Sequence, residues 1–341
     1  MTRYAYIPDP DALVRLLRRP EPEVCAVLPA DRPWTAAART ALARARIPSI
    51  TDADTLEVPL PPEAGGGTLR IPARPPWTDF ASSGPPEALA RGGHSVIVAA
   101  GPFALKIVPR AAAAASRYAD TAARSPLLMP VLAAAEGDDG ALLLLQPRAI
   151  GTARDDPDPK ACLPPVAAAL ADLHEAGWVH LDVKPDNILI VPTPDGPRRL
   201  LADTGSARRA GETLGPAILC TPRYAAPEIL RAASAGRPLR ADPAMDVFSL
   251  ALTALELLSG RHPLGPDPAS AEREAVARAL EGRPLDDALP PGTPPALRAA
   301  LDPDPTGRPT ALELLETILR MEGAPDEVLR TSSGTRMETN P

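Results

Sequence analysis

Cysteine is scarce in this 341-residue chain: Cys25, Cys162 and Cys220 are the only three, far apart and odd in number. That excludes a disulfide framework and leaves no ligand spacing for a zinc site, so a reducing, cytoplasmic setting is expected. Long apolar runs are missing too. The N-terminus, Met1-Thr2-Arg3-Tyr4-Ala5-Tyr6-Ile7-Pro8, has no apolar signal core, and no stretch reaches the ~18 consecutive apolar residues of a membrane span. The nearest candidate, Val247 to Leu258, carries Glu256 and has helical periodicity, so it reads as a buried helix. Positive charge is not in excess: 36 Lys and Arg stand against 43 Asp and Glu, a net charge of −7. Broad attraction to nucleic acid or to an anionic membrane is therefore not expected, and small-molecule or protein partners are favoured. Proline is what the chain has in abundance. Its 46 prolines and 23 glycines make up about a fifth of the residues, below the ~25–30% of low-complexity sequence. With 45% hydrophobic content, the prolines punctuate a globular chain.

Residues 1–85 read as a small α/β module. Val24 to Leu28 and Thr55 to Leu60 suggest strands, Thr35 to Arg46 a helix, and a Gly65-Gly66-Gly67 turn precedes a Pro-rich linker from Pro72 to Pro86. No site is legible there, and the choice between packing on the rest of the chain and binding a protein partner stays open. From Glu87 the pattern alternates: Leu89, then Val96 and Val98, then Ala104, Leu105, Ile107 and Val108 after a Gly101-Pro102 turn. This predicts three antiparallel strands, followed by a helix over 110–123 and further strands over 127–133 and 142–145. Beyond Pro147 helical periods dominate, over 163–176, 245–260, 270–282, 295–301 and 310–323. Strands first and helices after predict an α+β fold in two lobes, with a ligand expected in the cleft between them. Residues 323–341 are polar and aperiodic, as in a disordered tail.

The run His180-Leu181-Asp182-Val183-Lys184-Pro185-Asp186-Asn187 carries the most chemistry. It sets a carboxylate, an ammonium and a carboxamide in one turn-rich loop ahead of the apolar Ile188-Leu189-Ile190. Asp182 can accept a hydroxyl proton, Lys184 can offset charge on a moving phosphoryl group, and the Asn187 carbonyl can hold Mg²⁺. This run resembles the catalytic loop of eukaryotic-type Ser/Thr protein kinases, and other parts of that family's pattern follow the same order along the chain.

Phe103-Ala104-Leu105-Lys106-Ile107-Val108 is similar to the strand whose lysine holds ATP phosphates, and Ala90, Gly92, Gly93, Ser95 and Ile97 stand where the family has its Gly-rich loop. Asp203-Thr204-Gly205 stands for D-F-G, with Asp203 as a magnesium ligand and Thr204 in place of an aromatic. Cys220-Thr221-Pro222-Arg223-Tyr224-Ala225-Ala226-Pro227-Glu228 resembles the peptide-docking segment, with Thr221 expected to contact Asp182 and Lys184, and Glu228 to pair with Arg308. Asp246 matches the acid that anchors the catalytic-loop backbone. His174 and His180 read as hydrogen-bonded core histidines.

Two departures bear on activity. No glutamate lies between Lys106 and Pro126, where the family places the partner of the strand lysine, and Asp120 is the only acid there. Leu181 replaces the arginine that commonly receives an activation-loop phosphate. Over residues 86–322, divided as 86–147 and 148–322, the resemblance implies a two-lobed protein-kinase-like fold. It implies an ATP- and Mg²⁺-dependent Ser/Thr kinase acting on a protein substrate without activation-loop phosphorylation. Thr204 and the missing glutamate keep a second reading open, a nucleotide-binding pseudokinase scaffold. Thr221 to Glu228 disfavour a small-molecule phosphotransferase.

Overall fold

Asp-Pro pairs open three helices of the protein, whose computed structural model describes residues 3–21, 23–91, 95–109, 115–215 and 220–321. At Asp9-Pro10, Asp242-Pro243 and Asp267-Pro268 the carboxylate accepts from the amides of Ala12, Ala244 and Ser270, at 2.7, 2.8 and 2.8 Å. The proline after it needs no partner for an N–H and supplies a φ already suited to the first turn. The calls for Gly92 and Gly93, for the helix before Ala115 and for a tail over 323–341 lie outside the described residues.

The chain divides into two compact units, one made of Met1–Ala115 with Pro130–Arg148, the other of Ser116–Met129 with Ala149–Pro341. The first begins with β1 (Arg3–Tyr6), α1 (Pro10–Arg18), β2 (Val24–Leu28), α2 (Thr35–Arg44) and β3 (Ser49–Thr51). These strands form a parallel sheet in the order β1-β2-β3, and the helices make the crossovers that parallel strands require. All five residues of β2 are buried, as expected of a strand covered on both faces. A hairpin of β4 (Thr55–Pro59) and β5 (Thr68–Pro72) follows, then α3 (Trp77–Ser82).

The segment read from sequence as a Pro-rich linker thus contains a helix, and its Trp77 and Phe80 are fully buried. They are buried against the next sheet. Strands β6 (Glu87–Arg91), β7 (Val96–Ala100), β8 (Phe103–Val108), β9 (Ala133–Glu136) and β10 (Leu142–Pro147) form an antiparallel sheet in the order β6-β7-β8-β10-β9. Val98, Leu105, Leu143 and Leu145 from its inner strands share one core with Leu56, Val58, Ile71, Trp77 and Phe80. The hairpin and α3 therefore cover a sheet face that would otherwise be apolar and wet.

The second unit holds α4 (Ala115–Ala122, from its second residue on), β11 (Gly151–Thr152), α5 (Leu163–Glu175), β12 (Trp178–Val179), β13 (Ile188–Val191), β14 (Arg198–Leu201), β15 (Arg208–Arg209) and β16 (Thr213–Leu214). It continues with α6 (Pro227–Ser234), β17 (Leu239–Arg240), α7 (Pro243–Ser259), α8 (Pro268–Glu281), α9 (Pro295–Ala300) and α10 (Ala311–Met321). Its core joins Val166, Leu170 and Leu173 of α5 to Leu250 and Leu255 of α7 and Leu314 of α10. The strand expected over 127–133 forms only from Ala133. Leu127 and Leu128 belong to this unit instead, where Leu201 donates to the Leu127 carbonyl and Met129 to that of Leu201, at 3.0 and 2.8 Å. No helix among the described residues is long and apolar enough to cross a membrane.

Candidate active site

The loop between β12 and β13 is anchored from below by one buried carboxylate. Asp246, in the first turn of α7 and wholly buried, accepts from the amides of His180 and Leu181 at 2.6 and 2.7 Å, and lies 2.9 Å from His174 Nε2. These bonds hold Leu181 at φ 70°, a left-handed conformation costly for a leucine without such anchors. The Leu181 side chain turns into the core, where 2% of it is exposed. His180 is fully buried, with Nε2 3.0 Å from the Ala202 carbonyl. Both histidines therefore serve the loop's shape.

With the backbone fixed, Asp182 gathers four donors. Its Oδ1 accepts from the Thr221 amide and hydroxyl at 3.0 and 2.8 Å, and its Oδ2 from Lys184 Nζ and Asn187 Nδ2 at 2.7 and 2.9 Å. Lys184 also donates to the Thr221 hydroxyl at 2.6 Å. Asn187 Nδ2 donates a second time, to the Asp182 carbonyl at 2.8 Å, which commits its amide protons and leaves Oδ1 as a hard oxygen ligand. Residues 182, 184, 187 and 221 thus form one hydrogen-bonded cluster. Asp203 follows β14 closely, because the Ala202 amide donates to the Asn187 carbonyl at 2.8 Å. Its backbone is left-handed, φ 61° and ψ 56°. The Tyr118 hydroxyl of α4 lies 3.5 Å from Asp203 Oδ1, and burial, then the Asp203 charge, push that phenol's pKa well above its ordinary value.

In the smaller unit, strand register sets Ile97 of β7 and Leu144 of β10 opposite Lys106 of β8. The three share a face, while Leu105 points to the face covered by Trp77 and Phe80. Lys106 is 6% exposed. Ser95 immediately precedes β7 and is half-buried.

Two supports flank the Asp182 cluster. Arg308 makes a fork to Glu228, 2.8 and 2.9 Å, with its side chain wholly buried, and its guanidinium stands 5.0 Å from the Phe248 ring centroid. Arg154, after β11, was not singled out by its sequence context, yet it ties three elements together. It donates to Asp186 at 2.9 and 3.2 Å, to Glu256, and to the Tyr224 hydroxyl at 2.8 Å, while Tyr224 donates to Glu256 at 2.6 Å. Burial would raise the Asp186 pKa, but the Arg154 hydrogen bonds and charge, with Arg223 and Lys184, outweigh it and hold the carboxyl below its ordinary value. Burial, then the Asp182 charge, pushes the Cys220 thiol up to about 11, so it is no nucleophile at neutral pH.

A loop that presents an anchored aspartate, a lysine and an asparagine, followed one strand pair later by a left-handed aspartate, defines the class. Residues 136–319, more than half of the chain, match the protein kinase domain family, and the chain belongs to it. The matched stretch begins beyond the strand that carries Lys106. Among similar proteins are the serine/threonine-protein kinase PknL of Mycobacterium tuberculosis, 41% identical over 138 residues, 40% of this chain and 32% of that protein. PkaB of Streptomyces coelicolor, also a serine/threonine-protein kinase, is 43% identical over 108 residues, 29% of this chain and 24% of PkaB. ArnS of Sulfolobus acidocaldarius, of the same description, is 36% identical over 113 residues, 29% of this chain and 17% of ArnS. The chain spans about a third or less of the length of these relatives.

Proposed function

We propose that the protein is an ATP-dependent serine/threonine kinase that transfers a γ-phosphoryl group to a protein hydroxyl. The observation that carries this reading is the Asp182 cluster, in which Lys184, Asn187 and Thr221 all converge on one carboxylate. Asp182 orients the acceptor hydroxyl and takes its proton; Lys184 offsets phosphoryl charge beside it. Lys106, on the sheet face it shares with Ile97, neutralises nucleotide phosphates, and Gly92, Gly93 and Ser95 line the nucleotide. The donor set suits magnesium: a carboxylate at Asp203 and the free carbonyl oxygen of Asn187 are hard ligands. No cluster of three or more metal-binding His, Cys, Asp or Glu side chains occurs among the described residues, as fits an ion held largely by phosphate and water. Bound there, Mg²⁺ would neutralise charge on the phosphate oxygens.

The two compact units are read as the small and large lobes of a kinase. Thr221 supports a hydroxyl acceptor, and the buried Glu228–Arg308 fork keeps the segment that would dock a peptide in shape. Leu181 is buried and apolar, so it offers no charge to an activation-loop phosphate. The expected consequence is that phosphatase treatment leaves activity unchanged; loss restored by a Thr213 or Thr221 phosphomimetic would contradict this. Residues 1–85 are read as an extension that stabilises the small lobe and offers a surface to a protein partner.

Incubation with labelled ATP, Mg²⁺ and proteins from the same cell, beside Asp182→Asn, tests the enzyme reading. Label well above the variant is expected. Equal background in both would favour the nucleotide-binding scaffold, for which Thr204 in place of an aromatic speaks.

A further inference from the structure

Arg154 leaves a second guanidinium short of partners. Both oxygens of Asp186 accept from Arg154, at 2.9 and 3.2 Å, and the two oxygens of Glu256 accept from Arg154 and, at 2.6 Å, from Tyr224. Arg223 therefore meets carboxylates that are already committed. Among the described residues its side chain forms no hydrogen bond: its ion pair to Asp186 spans 3.9 Å, and its guanidinium stands 5.1 Å from the Tyr224 ring centroid. Nε is buried without a partner, while 15% of the side chain stays exposed and the two terminal nitrogens are not sealed from solvent. A cation half withdrawn from water in this way is costly to hold, and an incoming acceptor would offset that cost. Beside it lies an apolar pocket, which Arg223 lines with Ala225, Leu230 and Phe248. Two other arginines on the pocket wall are held already, Arg278 by Glu274 and Asp287, Arg283 by Glu274 and Glu281.

We propose that Arg223 reads an acidic residue of the protein substrate, so that the enzyme selects serines and threonines with a carboxylate side chain nearby. This rests on the kinase reading, since it is Asp182 that fixes where the acceptor hydroxyl sits. Thr221 is bonded to Asp182 at 2.8 Å and stands two residues before Arg223, so a chain whose hydroxyl lies on Asp182 passes close to this guanidinium. A carboxylate there can accept from both terminal nitrogens in parallel, a geometry that arginine offers and lysine does not. Arg154, Arg223, Asp186 and Glu256 together carry no net charge, so the selection comes from the unfilled donors and not from a long-range field. Against an apolar wall such a bond is stronger than in open water.

The test compares kcat/KM of the full chain, with ATP and Mg²⁺, on peptides that carry a single serine and an Asp, Ala or Lys at each flanking position in turn. The wild type is expected to favour Asp over Ala about tenfold where the peptide meets Arg223, the worth of a hydrogen bond to a charged group. Arg223→Gln should abolish that preference, Arg223→Lys should keep part of it, and Arg223→Glu should favour Lys at the same position. A reversal of that kind cannot come from misfolding, which lowers the rate on every peptide alike. Equal rates on Asp and Ala peptides in the wild type, or an Asp preference that Arg223→Gln and Arg223→Glu leave intact, would overturn the proposal while leaving the protein a kinase. Label on proteins of the same cell but on no peptide would overturn it too, since flanking residues would then not be what the site reads. Label on neither, as with Asp182→Asn, would remove the kinase reading and this proposal with it.

Discussion

Arg308 and Glu228 show what a single buried ion pair demands of the residues in it. The guanidinium has no exposed surface and the carboxylate little, and the two meet through parallel hydrogen bonds. Removing one partner strands the other charge in a low-dielectric core. Glu228→Gln or Arg308→Met is therefore expected to cost about 3–5 kcal/mol, read from the urea midpoint. Arg308→Lys keeps the charge but loses the fork, and should fall between these and the wild type.

His262 gives the pH counterpart. It is 5% exposed, edge-on to Tyr224 at 5.0 Å, and its Nδ1 accepts from the Leu264 amide. Burial lowers its pKa from the ordinary 6.5; the Arg223 and Arg154 charges act the same way, and Glu256 opposes them. The unfolded chain therefore takes up a proton at a pH where the folded chain does not. Stability from this group is complete above pH 6.5 and declines as the pH falls below it, by at most about 1.4 kcal/mol per unit. Thermal melts from pH 7.5 to 5.5 should show that decline reduced in His262→Leu.

Local spacing made only short-range contacts legible, and the Glu228–Arg308 pair, 80 residues apart, was expected through the family resemblance alone. Asp182, Lys184 and Asn187 are neighbours in one loop, so their types and spacing could be read directly. Arg154 meets Glu256 and Tyr224 at separations of 102 and 70 residues, and Tyr118 meets Asp203 at 85. No local pattern announces such pairs.

Among elements, α5, α7, α8, α9 and α10 of the larger unit were read nearly to their ends, with Asp-Pro starts and left-handed glycines at Gly260 and Gly282 marking α7 and α8 chemically, whereas α6 (Pro227–Ser234) was not read. Short strands fared worse. The parallel strands β1 and β3 have four and three residues, too few for a period to emerge, and β9 is mostly alanine. The helix α3 went unread because prolines before it suggested a linker, whereas its buried residues answer to a sheet formed later in the sequence. Trp77, 1% exposed, is expected to be the largest single anchor of this packing. Trp77→Ala should cost about 3–5 kcal/mol in equilibrium unfolding, and a change below 1 kcal/mol would show that α3 adds little to the core.

At the scale of the whole molecule, the β4–β5 hairpin and α3 are part of the core that supports the five-stranded sheet. A chain beginning at residue 86 would expose Val98, Leu105, Leu143 and Leu145, and it is expected to aggregate or bind a hydrophobic dye where the full chain does not. A monomeric truncation with an unchanged melting temperature would refute this.

That core also has a consequence for the order in which the protein is made. Its first unit is not continuous: the chain leaves it after Ala115, contributes Ser116–Met129 to the second unit, and returns at Pro130 to lay down β9 and β10. Leu143 and Leu145, central to the sheet, leave the ribosome a few seconds after Trp77 and Phe80, at roughly 5–20 residues per second. Until then α3 and the hairpin have only part of their partner surface. The nascent chain thus carries an exposed indole and a half-built sheet through that interval, the point in its life when a chaperone has most to hold.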